Sequence, residues 1–496
     1  MEFLDYKKKR DRTIRLFVGY FLVAILIGLA TLIVVYLAQG YGYSPESGVV
    51  QSGLVFIDTQ PVSGKVYIDG QLKGNSNMKV ELVSGKHSIS ISQSNYRTWS
   101  KKFNLLGGSV LYISYPLLIP NNITVGITQV LDSPPVWVSQ SPNDRWIVSQ
   151  PSATSPVLSI FDTTNINTAP VSITLPEDQL ISYQGQFGAI KPIEWSSDNR
   201  HLLVEQTLPD GNKSYLIIDT QDASQSVNIS TKLGLGIASS QYITLFNKNY
   251  NQYYVLDTTT GTLSTADLTN GLNATPVLTD VVAYKSFADN LILYVTYSGA
   301  KADQAQAMVL SNQTDKYLLQ SLPRDTTNQY LLDLAQYSGD WYYVTSDSAA
   351  NKVLIYKNPL SRTSAGNTKP IIAQMSLALS SPQFVSFSNN TQFVSMQSGQ
   401  QFVVYDAQQN QVYRYTSSLP IALTQQAKWM DGDRMTVVTN SKVQEFDFDG
   451  TNLQTLTASR PEFTAYFDSK YKYIFTLMPQ SDGKIGFETG QLVVSK

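Results

Sequence analysis

A short β pattern recurs along residues 121–496, and it restricts the fold more than any other feature. Each copy has an aromatic residue, a polar turn, a polar or charged residue and a hydrophobic strand, as in WSSDNRHLLVEQ. Copies begin at the aromatic residues Trp195, Tyr337, Phe387, Trp429 and Phe467, and a further copy has its aromatic residue, Trp137, upstream of the turn. In three copies a basic residue follows five positions after the aromatic one: Arg200, Arg434 and Lys472. Such recurrence indicates a repeat architecture.

A second pattern, a hydrophobic strand that ends in a polar turn, alternates with the first, as in YLIIDTQ. Its turn residues are Asp162, Asp219, Asp257, Asp406 and Asp449, with weaker copies near Asn312, Lys357 and Glu488. Eight units over about 370 residues give roughly 46 residues each, the size of a four-stranded propeller blade. The sequence therefore predicts an all-β region, 121–496, that forms a β-propeller of eight blades. Seven blades is the alternative, because the copies near residues 239 and 287 are weak.

Together these patterns resemble the TolB-type and WD-repeat-like propellers, whose blades read Trp-Ser-x-Asp-Gly, a basic residue and a hydrophobic strand. The best match runs from Trp195 to Val204. The resemblance implies a ring of sheets in which each blade buries its aromatic residue against the next blade and leaves only short edges.

The N-terminal region contains a membrane-spanning signal. Leu16 to Ala38 is a stretch of 23 residues without a charge, which as a helix is roughly 34 Å long and spans a bilayer core. Basic residues precede it, and the next charge after it is Glu46. This asymmetry predicts a cytoplasmic basic tail, 1–15, a transmembrane signal-anchor helix, 16–38, and an extracytoplasmic remainder. A cleaved signal peptide is the less favoured alternative, because its apolar region is usually shorter.

Residues 39–52 contain Gly, Ser and Pro and are predicted to form a linker. Residues 53–120 show a compact β pattern. In KVYIDGQLKG the pair Asp69-Gly70 predicts a hairpin with a type I′ turn. The aromatic residues Tyr96, Trp99 and Phe103 are expected to lie in the core of this small domain.

This segment resembles the PEGA domain, although it has PVSG in place of the tetrapeptide that names the family and GNSNM where a Thr-Pro pair is common. The matching features are Pro61, Gly64, Val66 to Gly70, Gly74, Ser84 to Ser92 and Tyr96. The resemblance implies a small β-sandwich outside the cytoplasm, without catalysis, that contacts a surface layer or cell wall.

No motif predicts a reaction. The chain has no cysteine, and its two histidines, His87 and His201, lie in different predicted domains, which argues against a His-based triad or a multi-His metal site. The acidic segments DFDGTN and MDGDR do not match a calcium loop and are interpreted as turns. The six tryptophans, interpreted mainly as core residues or alternatively as glycan platforms, are Trp99, Trp137, Trp146, Trp195, Trp341 and Trp429.

The sequence thus predicts a non-enzymatic binding or scaffold protein of the cell envelope, single-pass in the cytoplasmic membrane with its N-terminus inside. Expected partners are the lipid bilayer and an envelope protein or cell-wall glycan. Nucleic acid is not expected, because the exported part is net acidic, and no cofactor or metal is expected. The alternative is a hydrolase or lyase acting on envelope polysaccharide, which would need two carboxylates about 5–9 Å apart in the propeller.

Overall fold

The computed structural model consists of one long N-terminal helix followed by strands along almost the whole chain. It describes residues 6–44, 48–153, 155–273, 275–287, 291–324, 329–362 and 369–494. The chain divides into two compact units. The first runs to Asn122 and includes Val493 and Val494, and the second is Ile123–Leu492. The predicted all-β fold with one apolar N-terminal helix is confirmed.

Helix α1 (Tyr6–Ala38) contains the apolar stretch. From Arg10 to Ala38 it is long and apolar enough to cross a membrane, and its apolar side chains are exposed rather than packed against protein. A helix of this kind serves as a membrane anchor or as a signal sequence. Residues 1–5 of the expected cytoplasmic tail lie outside the described residues.

The rest of the first unit is a two-sheet sandwich. Its strands are β1 (Tyr41–Ser44), β2 (Gly48–Ile57), β3 (Lys65–Ile68), β4 (Gln71–Asn75), β5 (Met78–Val83), β6 (Gly85–Ser92), β7 (Trp99–Leu105) and β8 (Val110–Ile113). One sheet has the order β1-β2-β5 with β8 parallel to β2, and the other has the order β4-β3-β6-β7. Residues of both sheets share one core, which includes Val55, Ile89 and Trp99. Tyr96 is buried there too and Phe103 is partly buried, as expected.

Residues 39–52 differ from the expected linker. They contain β1 and the beginning of β2, because Tyr41 to Ser44 pair with Gln51 to Gly48 as an antiparallel hairpin. The side-chain amide of Gln51 also donates a hydrogen bond of 2.9 Å to the carbonyl of Gln39.

The segment KVYIDGQLKG forms the β3–β4 hairpin. Both turn residues have positive φ angles, 50° at Asp69 and 79° at Gly70, so the predicted type I′ turn is confirmed. The Asp69 carboxylate accepts a hydrogen bond of 2.8 Å from the Ser88 N–H and lies 2.7 Å from His87 Nδ1. This hairpin is thereby tied to strand β6.

Within the described residues, the second unit contains thirty-two strands, each antiparallel to its neighbours in the sheet. They are β9 (Thr124–Leu131), β10 (Trp137–Gln140), β11 (Trp146–Gln150), β12 (Val157–Asp162), β13 (Val171–Thr174), β14 (Ala189–Trp195), β15 (His201–Thr207), β16 (Lys213–Asp219), β17 (Val227–Asn228), β18 (Gln241–Leu245), β19 (Gln252–Asp257), β20 (Thr262–Asp267), β21 (Gly271–Leu272), β22 (Val281–Phe287), β23 (Leu291–Thr296), β24 (Gln304–Ser311), β25 (Asp315–Pro323), β26 (Tyr330–Tyr337), β27 (Asp340–Asp347), β28 (Lys352–Lys357), β29 (Met375–Ala378), β30 (Phe384–Phe387), β31 (Phe393–Ser398), β32 (Gln401–Asp406), β33 (Gln411–Thr416), β34 (Lys428–Trp429), β35 (Arg434–Thr439), β36 (Lys442–Asp447), β37 (Gln454–Ala458), β38 (Tyr466–Phe467), β39 (Tyr473–Pro479) and β40 (Ile485–Gln491). The short helices are α2 (Ile229–Lys232) and four 3₁₀ turns, Glu177–Gln179, Ala223–Gln225, Phe246–Lys248 and Pro359–Arg362.

These strands form eight four-stranded sheets, the blades of a propeller. Blades 1 to 7 are built from consecutive strands, from β10–β13 in blade 1 to β34–β37 in blade 7. Blade 8 combines β38, β39 and β40 with β9, so the first strand of the unit closes the ring on the last. The prediction of eight blades is therefore confirmed over seven.

Hydrophobic cores lie between adjacent blades. Trp195 of blade 2 packs with Trp137 of blade 1, and its indole N–H donates to Ser139 Oγ of blade 1 at 2.9 Å. The same holds at the closure, where Phe161 of blade 1 packs against Phe475 of blade 8. The recurring aromatic residues thus serve blade-to-blade packing, as the repeat predicted.

Candidate functional site

In most blades the two recurring sequence patterns lie at the same edge. Because neighbouring strands are antiparallel, the turn between the first and second strands lies at the same edge as the turn between the third and fourth. We name this edge the turn side. The first sequence pattern forms the first of these turns and the second pattern forms the other.

The first turn is built by short polar side chains that bind the backbone. In blade 6, Ser388 Oγ accepts a hydrogen bond of 3.1 Å from the Phe393 N–H, and Asn390 Oδ1 accepts one of 3.1 Å from the Gln392 N–H. Thr391 between them has a φ of 60°. The equivalent residues of blade 1 are Ser141, Asn143 and Asp144. These local bonds explain why the pattern needs Ser, Asn and Asp at fixed spacing.

The two patterns meet in a cross-strand pair. The residue just before the second strand binds the aspartate that ends the third strand: Arg145 with Asp162, Arg200 with Asp219, and Gln392 with Asp406. The Arg200 guanidinium binds both carboxylate oxygens of Asp219, and that carboxylate is almost fully buried. Burial raises the pKa of Asp219, but the hydrogen bonds outweigh this effect and hold it below its usual value. The pair closes the turn side of its blade.

Blade 7 departs from this geometry although its sequence spacing is the same. Its first turn is one residue shorter, so Arg434 begins strand β35 opposite Asp447, whereas Arg200 precedes its strand. Arg434 is consequently buried, where it binds Asp431 and lies 3.8 Å from Glu445. Lys472, the third basic residue of the pattern, is exposed. Three basic residues at the same sequence spacing therefore lie in three different environments: Arg200 is paired at the turn side, Arg434 is buried and Lys472 is exposed.

Two predicted turn residues, Asp257 and Glu488, lie elsewhere. Asp257 ends the second strand of blade 3, and the aspartate that ends its third strand is Asp267. Both accept a backbone hydrogen bond from a threonine two residues later, at 2.9 and 2.8 Å. In blade 8 the third strand ends at Gln491, and Glu488 lies within it. In blade 7 the third strand ends at Asp447, and Asp449 lies in the turn that follows, as predicted.

Two aspartates in the first turns have a raised pKa. Burial, with the charges of Asp468 and Asp431, raises the pKa of Asp144 to about 6. Burial and the neighbouring Asp431 raise the pKa of Asp433 to about 7. Within the described part of the chain, neither of these two carboxylates accepts a hydrogen bond, and no group of three or more His, Asp or Glu residues has an arrangement suited to a metal ion.

A concave surface lies between blades 3 and 4, and we name it the blade 3–4 groove. Its volume is about 760 Å³, and its lining includes Phe246, Gln252, Tyr254, Thr265, Asn270, Asn273, Ile292, Leu310, Gln313 and Thr314. Tyr254, Ile292 and Leu310 belong to the core between the blades and form an apolar floor. Amide and hydroxyl side chains surround this floor. A concave apolar surface with a few polar groups is typical of a ligand site.

Blade 3, which borders the groove, has no cross-strand pair of this kind among its described residues. Gln252 stands opposite Asp267, and the Asp267 carboxylate instead accepts a hydrogen bond of 2.9 Å from Asn270 within its own turn. That bond and two backbone N–H groups lower the pKa of Asp267. The fourth strand, β21, has only two residues. Just beyond it the Asn273 N–H donates to the Thr265 carbonyl of β20, and farther along the Val277 N–H donates to the Leu263 carbonyl.

A smaller concavity, the blade 4–5 pocket, lies beside the groove on the turn side. Its volume is about 260 Å³, and its lining includes Leu291, Asn312, Trp341, Tyr343, Asn358 and Leu360. Trp341 is half-buried and packs edge-on against Phe287 at a centroid distance of 5.3 Å.

Sequence reasoning missed both concavities. It identified no binding residue, and the lining of the blade 3–4 groove carries no motif. The available signal was the weakness of the repeat near residues 239 and 287, which bracket this part of the ring. His87 and His201 lie apart as expected, in the sandwich and in blade 2.

Comparison with known proteins assigns the small domain. Residues 52–119 match the family model described as the PEGA domain, so that resemblance is confirmed. The match covers this segment of the chain and not the propeller. No curated protein matches the sequence significantly.

Solved structures similar to this chain include several propellers. The Cps50 (Swd1) beta-propeller domain of Myceliophteria thermophila has a TM-score of 0.38 at 12% identity and covers 68% of this chain and 100% of its own. Hsv2p of Kluyveromyces lactis has a TM-score of 0.41 at 12% identity, with 67% and 100% covered. Apo AztD of Citrobacter koseri has a TM-score of 0.38 at 11% identity, with 87% and 100% covered. The fold assignment therefore stands on the chain's own architecture, a PEGA-like β-sandwich and an eight-bladed β-propeller.

Proposed function

We propose that the protein is a membrane-anchored, extracytoplasmic binding protein that holds a protein or glycan ligand in the blade 3–4 groove. The observation that carries this proposal is the groove itself, about 760 Å³ with an apolar floor and a polar rim in which Asp267 is the charged side chain among the described lining residues. Its size falls within the range of ligand sites, roughly 300–1,000 Å³.

The anchoring part of the proposal is supported by helix α1 and the PEGA match. Because its apolar side chains are exposed along Arg10–Ala38, the helix needs a nonpolar environment. Basic residues precede the apolar stretch of the helix and the match to an extracytoplasmic module follows it, which favours an inside N-terminus. Protease added to intact spheroplasts should then digest the part beyond residue 40, and full protection would contradict this topology.

The groove is tested by filling it. The full chain, reconstituted in nanodiscs, is offered envelope proteins and isolated cell-wall glycans. Thr265 lines the groove on strand β20, and Thr265→Trp should weaken the captured ligand at least tenfold. Ser376→Trp, an exposed position on the fourth strand of blade 5, is the matched control and should bind normally. Equal loss or equal binding in the two variants would reject the groove as the site.

The hydrolase or lyase remains a second candidate because of Asp144 and Asp433. Carboxyl groups with pKa values of about 6 and about 7 suit acid–base chemistry near neutral pH. Both, however, belong to turns that also build the blades. Release of reducing ends from envelope polysaccharide, lost in Asp433→Asn and kept in the turn variant Asp449→Asn, would favour catalysis. Absence of release from the native chain would remove this candidate.

A further inference from the structure

We infer that the ligand is a linear, neutral oligosaccharide that occupies the blade 3–4 groove and the blade 4–5 pocket together. This inference rests on the proposed binding function and assigns its ligand class. Three observations carry it: the shared wall of the two concavities, the charge of their linings and the environment of Trp341.

A single turn forms the wall between the two concavities. It connects the third and fourth strands of blade 4. Gln313 and Thr314 line the groove, while Ser311 and Asn312 line the pocket. Both concavities open on the turn side of consecutive blades. An extended ligand that crosses this turn therefore contacts both, whereas a compact ligand fills one.

The linings are almost free of charge. Asp267 is the charged side chain among the described lining residues, and its carboxylate already accepts hydrogen bonds from Asn270 and from the Thr269 N–H. No lysine or arginine lines either concavity within the described residues. An anionic polymer would meet no positive charge there. Amide groups such as those of Asn270 and Asn312 donate and accept hydrogen bonds, which matches sugar hydroxyl groups.

Trp341 differs from three of the four other tryptophans of the propeller. The fourth, Trp146, also has no indole hydrogen bond among the described residues, and the Arg145 guanidinium lies 4.4 Å from its ring. The indole N–H groups of Trp137, Trp195 and Trp429 donate to Gln150, Ser139 and Ser386, respectively. Trp341 has no such bond among the described residues, and its half-buried ring lines the pocket.

The ring of Trp341 is nevertheless held in position. Phe287 packs against it edge-on at 5.3 Å, and the Tyr343 ring lies 6.5 Å away. A fixed aromatic face with a free N–H suits the C–H face and the hydroxyl groups of a sugar ring, because Trp combines an apolar body with a polar group. The Trp341 ring therefore forms one sugar subsite in the blade 4–5 pocket, and the amide-lined blade 3–4 groove beside it forms the other.

The test uses the full chain in nanodiscs and isothermal titration calorimetry. The probes are cellohexaose, maltohexaose, mannohexaose and hexa-N-acetylchitohexaose, with their disaccharides and with hexagalacturonate as an anionic control. We expect at least one neutral hexamer to bind at least tenfold more tightly than its disaccharide. Trp341→Ala should remove that length advantage. Trp146→Ala, at the start of the second strand of blade 1, should preserve it.

The outcomes separate this inference from the proposed function. Failure of all four neutral hexamers, or tighter binding of hexagalacturonate, would overturn the inference. If Thr265→Trp then still removed a captured envelope protein, the proposed binding function would stand with a protein ligand. A neutral hexamer that binds native chain and Trp341→Ala equally would also overturn the two-subsite arrangement.

Discussion

Blades 2 and 3 are neighbours with the same strand order, yet their turn sides differ. In blade 2, Arg200 and Asp219 bind each other across the second and third strands and close the edge of the sheet. In blade 3, Asp267 binds its own turn and the edge opens into the blade 3–4 groove. The difference teaches that the repeat residues serve packing, so a binding surface is to be sought where the repeat is weakest.

The largest effect is expected in blade 7, where the basic residue is buried. Arg434→Ala leaves Asp431 and Glu445 buried without the guanidinium, and loss of one partner from a buried ionic network costs about 3–5 kcal/mol. Urea unfolding followed by tryptophan fluorescence measures this loss, because five of the six tryptophans lie in the propeller. Lys472→Ala, the exposed counterpart at the same sequence spacing, should cost less than about 0.5 kcal/mol.

Replacing the aspartate that ends the third strand, Asp219 in blade 2 and Asp267 in blade 3, tests the difference between these two blades. Asp219→Ala removes the partner of Arg200 and the acceptor of two backbone N–H groups, so we expect a loss of about 2–3 kcal/mol. Asp267→Ala removes only bonds within an exposed turn and should cost less than Asp219→Ala. Equal losses would show that blade 3 depends on its turn aspartate as blade 2 does.

Asp433 should make the stability of the propeller depend on pH between about 4 and 7, whereas the Arg–Asp pairs should not. Its pKa is about 7 in the folded chain and about 4 in an unfolded chain. Between these values the folded state holds the proton more tightly, so stability falls as pH rises from about 4 to 7 and then levels off. We expect Asp433→Asn to flatten this fall and to be more stable than the native chain at pH 8 by on the order of 1–2 kcal/mol.

The measurement is urea unfolding at pH 5 and pH 8 for the native chain and for Asp433→Asn. Asp449→Asn, in the other turn of the same blade, is the control. An unchanged pH dependence in Asp433→Asn would show that its carboxyl group ionises normally in the folded chain.

The fold was largely predictable because the same residue types recur at corresponding positions of successive blades. Turns such as SSDNR use the same short-range bonds in blade after blade, and aromatic residues such as Trp195 recur because they pack between blades. The strand assignment of Asp257 was not predicted, because Asp257 and Asp267 each accept a hydrogen bond from a threonine two residues later and only strand pairing tells the second strand from the third. The shorter turn before Arg434 was hidden for the same reason.

The candidate site was not predictable because it results from missing contacts. The blade 3–4 groove exists where the cross-strand pair is absent and the fourth strand is short, and absent contacts leave no motif. Its floor residues, such as Tyr254 and Leu310, look like ordinary core residues in sequence and are core residues in the fold. The open space above these floor residues depends on the distance between blades 3 and 4, which the sequence does not show.

The smallest effect extends the comparison to the sandwich, where an aspartate also holds a turn but its partner is an imidazole. His87 Nδ1 lies 2.7 Å from Asp69 Oδ2 and Nε2 lies 2.7 Å from the Val83 carbonyl. Since both neighbouring atoms are acceptors, this geometry favours the doubly protonated ring. Burial lowers the pKa of His87, but these bonds outweigh it and raise the pKa above its usual value.

The stability that the His87–Asp69 pair contributes depends on pH. The raised pKa of His87 means that its contribution is complete below about pH 6.5 and is lost as pH rises through the folded-state value. Asp69, whose pKa the hydrogen bond from His87 lowers, contributes above about pH 4. The pair should therefore stabilise the β3–β4 hairpin most between these limits, by less than about 1 kcal/mol because Asp69 is half exposed.

Hydrogen exchange at the Ser88 N–H, which donates to Asp69, reports this stabilisation locally. In the native chain the exchange rate, corrected for intrinsic pH dependence, should rise between pH 6 and pH 8. His87→Gln keeps a donor near the Val83 carbonyl but has no titrating charge, so its corrected rate should stay constant. A native profile as flat as that of His87→Gln would mean that Asp69 holds its turn without the imidazolium, as Asp267 does in blade 3 without an arginine.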